Sequence, residues 1–206
     1  MTSLPKTYQF AGIVLLIFAS TLPSTTIATE TSHLKSQYAG QQTRLIKSLS
    51  QDDIQQLTEG KGWGLAKAAE LNGVPGPAHL LEMKQEIELS DTQVKKIQQL
   101  FDHMKSQAQE LGKELIRLEA DLNQEFVDRS INKDSLRTKL SAIEKVRRDL
   151  RYVHLATHLE TPSILSVEQI TKYNKLRGYN NDDPCTNIPK GHDKTMWLKH
   201  NGCLAK

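Results

Sequence analysis

The fold is decided by residues 91–128, DTQVKKIQQLFDHMKSQAQELGKELIRLEADLNQEFVD. Apolar side chains recur in this stretch at alternating intervals of three and four residues, which is the a/d spacing of a coiled-coil helix. The repeat runs through Val94, Ile97, Phe101, Met104, Ala108, Leu111, Leu115, Leu118 and Leu122. It predicts one long helix over 91–128 with a continuous apolar seam.

A second helical stripe follows and makes the pair a hairpin. Asn132 and Asp134 mark a turn after the first helix, because both residue types favour turns and helix starts. Apolar residues then recur at helical spacing up to about residue 160: Leu136, Leu140, Ile143, Val146, Leu150 and Val153. Two long helices joined by a short turn pack antiparallel. We therefore predict an all-α fold, a long antiparallel helical hairpin with shorter flanking helices.

The composition indicates a thin body rather than a thick core. Hydrophobic residues make up 37% of the 206 residues and aromatic residues only 5%. Such a chain is expected to bury part of its surface against a second copy, as a homodimer that associates along the hairpin. The formal net charge is +3, from 27 Lys and Arg against 24 Asp and Glu, which excludes a strongly basic protein that binds nucleic acid.

The N-terminus has the layout of an export signal. Lys6 is followed by an uncharged apolar run over 10–22 and then by small residues up to Ala28. The alternative is an uncleaved anchor, although the run is shorter than the about 20 residues that a membrane span needs. No other apolar segment is long enough to span a bilayer, so we expect an exported, soluble protein in an oxidising compartment. The predicted divisions are a signal peptide over 1–28, a flexible lead-in over 29–48, a helical domain over 49–179 and an irregular tail over 180–206.

The sequence carries no recognisable catalytic or nucleotide-binding motif. Neither a Gly-rich phosphate loop nor an H-E-x-x-H or G-x-S-x-G motif occurs. We therefore expect a protein that is not an enzyme and that needs no cofactor, with zinc as the one candidate considered below.

One local motif occurs twice, as LSDTQ at 89–93 and as LSVEQ at 165–169. Each copy has the form of a capping box, in which the Ser hydroxyl accepts from a backbone N–H three residues on and the Gln side chain accepts from the Ser N–H. The capping residues are Leu89, Ser90 and Gln93 in the first copy and Leu165, Ser166 and Gln169 in the second. By itself the motif predicts a helix start. Two copies flanking a long helical hairpin are more informative.

On these residues the chain resembles the LTxxQ-motif periplasmic proteins, the Spy/CpxP group, which also includes zinc-associated ZraP-like members. Ser stands in place of Thr in both motifs. Two further segments resemble one subgroup: GWGLAKAAELNGVPGP at 62–77 and YNKLRGY at 173–179. The resemblance implies a cradle-shaped, all-helical homodimer in the periplasm. It also implies an ATP-independent chaperone that holds unfolded or misfolded clients, or an envelope-stress modulator that acts on a sensor protein.

The second long helix carries the candidate client-binding residues. Arg147, Arg148 and Arg151 give this helix a basic patch. Beside exposed apolar residues, such a patch speeds encounter with clients, which apolar contacts then hold loosely. The simpler interpretation is a solvated face with cross-helix ion pairs.

The alternative function is that of a periplasmic zinc-binding protein, in metal resistance or as a sensor. His154 and His158 lie four residues apart on one helical face, a spacing that can chelate a metal. His103 is expected at an outer position of the first long helix, pointing away from them. The competing interpretation is a histidine pair that packs against other elements, because Arg147 and Arg151 continue the same stripe and disfavour a cation.

The tail contains the two cysteines of the chain, Cys185 and Cys203. In an oxidising compartment a disulfide between them is the simpler outcome. The alternative is a zinc site that also uses His192 and His200, although the spacing is not that of a familiar zinc motif.

Overall fold

The computed structural model describes residues 35–179, 185–186, 188 and 190–203. The predicted signal peptide over 1–28 lies outside these residues, as does the start of the predicted lead-in. The chain divides into two compact units, Met1–Ala39 and Gly40–Lys206. In the described part of the first unit, the Ala39 N–H donates to the Ser36 carbonyl over 3.0 Å and closes a turn.

The second unit is built from helices, and the described ranges contain no strand. The α-helices are α1 (Gln51–Glu59), α2 (Lys67–Glu70), α3 (Pro77–Glu82), α4 (Asp91–Val127), α5 (Lys133–Glu160), α6 (Val167–Leu176) and α7 (Lys194–His200). In the described residues, the 3-10 turns Gln41–Thr43 and Thr161–Ile164 accompany these helices. The predicted all-α fold with a long helix pair and shorter flanking helices is confirmed.

Side-chain caps explain where the main helices begin. Ser50, Ser90 and Ser166 each accept a hydrogen bond from the backbone N–H three residues on, and each donates its own N–H to the side chain of that residue. Asn132 caps α5 in the same way, together with Ser135. Such caps stabilise a helix start by about 1 kcal/mol each.

The apolar seam of α4 is filled within the chain. Ala108 and Leu115 are fully buried and share one cluster with Leu57 of α1 and with Ile143 and Leu150 of α5. Burying each such leucine or isoleucine contributes about 1.5–3 kcal/mol. Because α1 and α5 of the same chain fill this seam, a second copy would have to use another face of the hairpin.

A glycine in the middle of α4 permits the close approach of α1. A Cβ atom at Gly112 would lie 2.2 Å from the backbone carbonyl oxygen of Leu57. Real side chains do not tolerate that distance, and the obstructing atom belongs to a backbone that is itself packed into the core. The seam pattern predicted the helix but not this crossing.

The end of the segment assigned to a flexible lead-in is docked, as is the residue that follows it. Ile46 and Leu49 are buried in the same cluster as Leu115. The Ser48 hydroxyl donates to the Glu119 carboxylate over 2.7 Å, and the Lys47 N–H donates to the Asn123 side chain over 3.3 Å. The polar sequence around these residues concealed two well-spaced apolar anchors.

A second cluster closes the open end of the hairpin. Leu80 of α3, Ile97 of α4 and Tyr173 of α6 are fully buried there, together with Ile87. This cluster brings the short helices α3 and α6 against the start of α4.

The tail is less irregular than predicted, because it contains α7. Asp193 caps this helix by accepting from the Met196 N–H over 2.8 Å. Cys185 and Cys203 are joined by a disulfide with Cα atoms 5.3 Å apart, which is the pairing expected from the sequence. Of the residues that the structure describes, none belongs to a helix long and apolar enough to cross a bilayer.

Gly112→Ala is expected to destabilise the protein by about 2 kcal/mol or more, because the added methyl group separates α1 from α4. Helix propensity alone predicts the opposite, a gain of about 1 kcal/mol. Urea unfolding followed by circular dichroism measures the difference. Ser106 is exposed on the same helix, so the difference in stability between Ser106→Gly and Ser106→Ala measures helix propensity alone. If Gly112→Ala stabilises the protein by that same amount, α1 does not approach α4 closely at Gly112.

Candidate functional site

The two LSxxQ motifs are in direct contact with each other. The Gln93 Nε2 donates to the Gln169 Oε1 over 2.8 Å, and the Gln169 Nε2 lies 3.1 Å from the Gln93 Oε1. Each amide also donates to the carbonyl that precedes the other motif, Gln93 to Ile164 over 2.8 Å and Gln169 to Glu88 over 3.2 Å. The arrangement is close to two-fold symmetric. It clamps the start of α4 to the start of α6.

A half-buried carboxylate next to this clamp joins three short helices. The Glu70 Oε1 of α2 accepts from the Tyr173 hydroxyl over 2.5 Å and from the Tyr179 hydroxyl over 3.1 Å. The Arg177 guanidinium donates to the same oxygen over 3.2 Å, and the His79 Nδ1 of α3 lies 3.1 Å from it. Asn174 adds a hydrogen bond to the Gly73 carbonyl over 3.1 Å. The segments 62–77 and 173–179 therefore dock on each other.

The donors around Glu70 control its charge. Burial alone would raise the pKa of this carboxyl, but the hydrogen bonds from His79, Tyr173 and Tyr179 outweigh that effect and lower the pKa to about 2. Burial and the hydrogen bond to Glu70 raise the pKa of Tyr173. The cluster is thus a structural anion with neutral tyrosine donors.

A pocket of about 490 Å³ opens beside this cluster, and we call it the histidine pocket. Its walls come from the end of α1, from α3, and from the facing parts of α4 and α5. Phe101, Met104 and Pro77 supply apolar surface, and His79, His154 and His158 supply imidazoles. A concave, largely apolar site with a few polar groups is the usual form of a ligand site.

The two histidines of α5 are buried in this pocket rather than exposed on a flank. His154 is 3% exposed and His158 is 6% exposed. The His158 Nδ1 lies 2.8 Å from the Val74 carbonyl oxygen, and since a carbonyl only accepts, Nδ1 carries the proton. The His158 ring packs on Gly76, where a Cβ atom would lie 2.5 Å from Nε2. The Thr161 hydroxyl holds the same loop by donating to the Pro75 carbonyl.

His154 has no such partner. Its Nε2 is buried without a hydrogen bond. Burial, together with the neighbouring His158, lowers the pKa of His154 to about 4. The ring is therefore neutral at physiological pH.

The basic patch lines a second concavity, which we call the α5 groove. It has a volume of about 540 Å³. Its lining consists of Leu65, Glu144, Arg147, Arg148, Arg151, Tyr152 and Leu155. Tyr152 is 69% exposed, so an aromatic ring stands beside the arginines.

The three arginines are not equivalent. The Arg147 guanidinium lies 5.1 Å from the centre of the Trp63 ring and 3.9 Å from the Glu119 carboxylate, which are the contacts of a packing residue. Arg148 is exposed and pairs with the adjacent Asp149 over 2.8 Å. Arg151 is exposed as well.

Other predicted ligand residues stay apart from these sites. His103 is exposed on α4, as expected from its position, and does not line the histidine pocket. In the tail, the disulfide uses both thiols that a zinc site would need, and His192 packs edge-on against Trp197. Across the residues that the structure describes, no three His, Cys, Asp or Glu side chains form a metal-binding group.

Sequence reasoning missed the Glu70 cluster and the histidine pocket. The segments 62–77 and 173–179 carry the family resemblance, but nothing in either segment predicts that Glu70 contacts Tyr173. The repeated motif could have predicted that the starts of α4 and α6 lie together, because two capping boxes with a glutamine at the same position can pair through their amides.

Comparisons of the chain with protein-family models, with curated proteins and with solved structures find no significant match. The resemblance to the LTxxQ-motif proteins therefore rests on the two motifs and on the segments 62–77 and 173–179.

Glu70→Gln is expected to destabilise the protein at pH 7 by about 2 kcal/mol, because the donors lose a charged acceptor. The folded pKa of about 2 lies below the ordinary value of 4.5, so the carboxylate stabilises the fold above pH 4.5 and loses that effect as the pH falls towards 2. Urea unfolding between pH 7 and pH 3 should show a flatter profile for the variant. Glu82→Gln, on the exposed side of α3, is the matched control and should follow the wild type.

His154 produces a pH dependence at higher pH. The unfolded ring binds a proton near pH 6.5 and the folded ring only near pH 4, so stability falls as the pH is lowered between these values. The wild type should lose about 2 kcal/mol of stability over that range, and His154→Leu should abolish this loss. His103→Leu removes an exposed imidazole instead. If both variants keep the wild-type slope in urea unfolding, His154 is not buried in its neutral form.

Proposed function

We propose that this protein is a periplasmic, ATP-independent chaperone that holds unfolded or misfolded clients, or that modulates an envelope-stress sensor through the same surface. The observation that carries the proposal is the α5 groove, where exposed arginines stand beside an exposed tyrosine. Segments exposed by unfolding present apolar side chains together with charges, and a mixed surface of this kind matches both.

The groove suits weak and reversible capture. Tyr152 and Leu155 offer apolar contact without a deep pocket, so no single client sequence is selected. Arg148 and Arg151 add positive charge that attracts acidic segments from a distance of about 8 Å at physiological ionic strength. Apolar contacts then hold the client after encounter. Nucleotide has no part in such a cycle.

Within the proposed client surface, Arg147 has a different role from its neighbours. Its contact with Trp63 joins α5 to the segment before α2 and forms the wall of the groove. We therefore assign client attraction to Arg148 and Arg151, and the positioning of the groove to Arg147.

The compartment and the assembly belong to the same proposal. The signal-peptide pattern over 1–28 and the disulfide between Cys185 and Cys203 suit an oxidising periplasm. A homodimer of the kind implied by the resemblance would use a face other than the α4 seam. Leu140 and Leu159 are exposed on α5 and are available for such a contact.

Zinc binding has weaker support as an alternative function. Structural zinc sites use four protein ligands, and catalytic sites use three. In the part of the chain that the structure describes, His154 and His158 have no third His, Cys, Asp or Glu close enough to complete such a site.

The double variant Arg148→Glu with Arg151→Glu should slow the capture of an aggregating, partly unfolded client in a light-scattering assay without nucleotide. The physical reason is that two attractive charges become repulsive while the fold keeps its core. Added salt should narrow the difference from wild type, because it screens both attraction and repulsion.

The matched control is Lys95→Glu with Lys96→Glu, which makes the same charge change at exposed positions of α4. It should suppress aggregation as well as wild type does. If the α5 variant performs like this control, the α5 groove is not the client surface. A loss of activity in both variants would assign the effect to net charge instead.

A further inference from the structure

The histidine pocket contains a polar group whose burial the fold does not explain. The Nε2 of His154 is buried without a hydrogen-bond partner, and the residue as a whole is only 3% exposed. Leaving such a group unpaired costs about 1–3 kcal/mol. A leucine would fill the position without that cost. Because His154 is also a lining residue of an open pocket, its unpaired nitrogen is suited to a ligand that binds there.

His158 lines the same pocket. Its Nδ1–H donates to the Val74 carbonyl, so in the neutral ring Nε2 carries the free lone pair. A backbone carbonyl behind an imidazole is the usual arrangement for a histidine that binds a metal, because it fixes the tautomer and the ring orientation. Gly76 leaves room for this ring position.

Met104 stands level with His154 across the hairpin. The buried positions of the two antiparallel helices follow at the same intervals of seven and four residues: Leu115, Ala108 and Met104 on α4, and Ile143, Leu150 and His154 on α5. Met104 also lines the histidine pocket and is 6% exposed. Met104 therefore belongs to the wall of the pocket that faces the two imidazoles.

We propose that Met104, His154 and His158 form a binding site for a soft monovalent metal ion, Cu(I), in the histidine pocket. Thioether and imidazole are ligands that copper accepts, and the thioether selects Cu(I) over harder ions. Cu(I) is satisfied by two or three ligands, whereas a zinc site needs three or more His, Cys or carboxylate groups close together, and no such group occurs among the described residues.

Charge considerations also favour a monovalent ion. All three donors are neutral, so the bound ion keeps its full charge in a mostly apolar site, and burying one charge costs less than burying two. At the rim, Lys61 pairs with Glu59 over 2.6 Å. The cations that continue the histidine stripe, Arg147 and Arg151, line the α5 groove and not this pocket.

The test is an anaerobic titration of the disulfide-intact protein with Cu(I), in competition with bicinchoninate, whose coloured Cu(I) complex reports the free ion. Wild type should remove one Cu(I) per chain from the indicator. Met104→Leu conserves volume and packing, so it should remain folded, and it should weaken binding about tenfold or more by removing the thioether. His154→Leu should weaken binding at least as much.

Each variant has a matched control. Met196→Leu removes an exposed thioether, and His103→Leu removes an exposed imidazole; both should bind Cu(I) like wild type. Wild-type protein that takes no Cu(I) from bicinchoninate overturns the proposal, as does equal binding by Met104→Leu. Zn(II) that displaces the bound Cu(I) overturns the assignment to a soft ion. The proposal does not depend on client capture, which the α5 variants test separately.

Discussion

The paired amides of Gln93 and Gln169 set the register on which the rest of the fold depends. They join the start of α4 to the start of α6, and between these points lies the whole of the hairpin. Their four hydrogen bonds contribute about 1 kcal/mol each at most, which is less than the apolar burial of Ile97 and Tyr173 nearby. Their effect is on geometry, because apolar contacts tolerate a slip along a helix and reciprocal amides do not.

This register decides what lies beside the clamp. Once α6 is placed against α4, Tyr173 and Arg177 reach Glu70, and α2 is held by a charged acceptor with several donors. The loop that follows α2 then meets the end of α5, where His158 and Thr161 bind its carbonyls. The histidine pocket is the space left between that loop and α4. Its shape therefore follows in part from residues that do not line it, such as Glu70, Gln93 and Gln169.

The sequence predicted the long helices well, and the reason is physical. Regular apolar spacing over a stretch as long as Val94 to Leu122 leaves few alternatives to a helix. Capping boxes such as those at Ser90 and Ser166 place the starts of α4 and α6 within a residue. The docking of Ile46 and the close approach at Gly112 were not predictable in this way. Each depends on which distant element arrives, and a local pattern carries no information about that.

The stripe formed by Arg147, Arg151, His154 and His158 shows the same limit within one helix. At about 100° per residue these side chains do share one face of α5, so the expectation that cations would disfavour a metal there was sound as helix geometry. What differs along that face is which element packs over it. Trp63 lies over Arg147, whereas the loop carrying Val74 and Gly76 covers the histidines. A single face is thus divided into a cationic part and a neutral part by the elements that pack on it.

The division also separates the two proposed activities. At about 100° per residue, Arg148 and Leu155 lie about 80–100° and Tyr152 about 140° around α5 from the middle of the face that His154 and His158 share. Arg147 and Arg151 also line the groove and share the histidine face, but they do not line the histidine pocket, so a client in the α5 groove and an ion in the histidine pocket would contact different residues. Since α5 is one rigid helix packed along its length on α4, an ion that orders the loop around Gly76 would stiffen the end of the helix without occupying the groove. Binding at one surface is then compatible with binding at the other, and the residues of each can be changed without removing those of its neighbour.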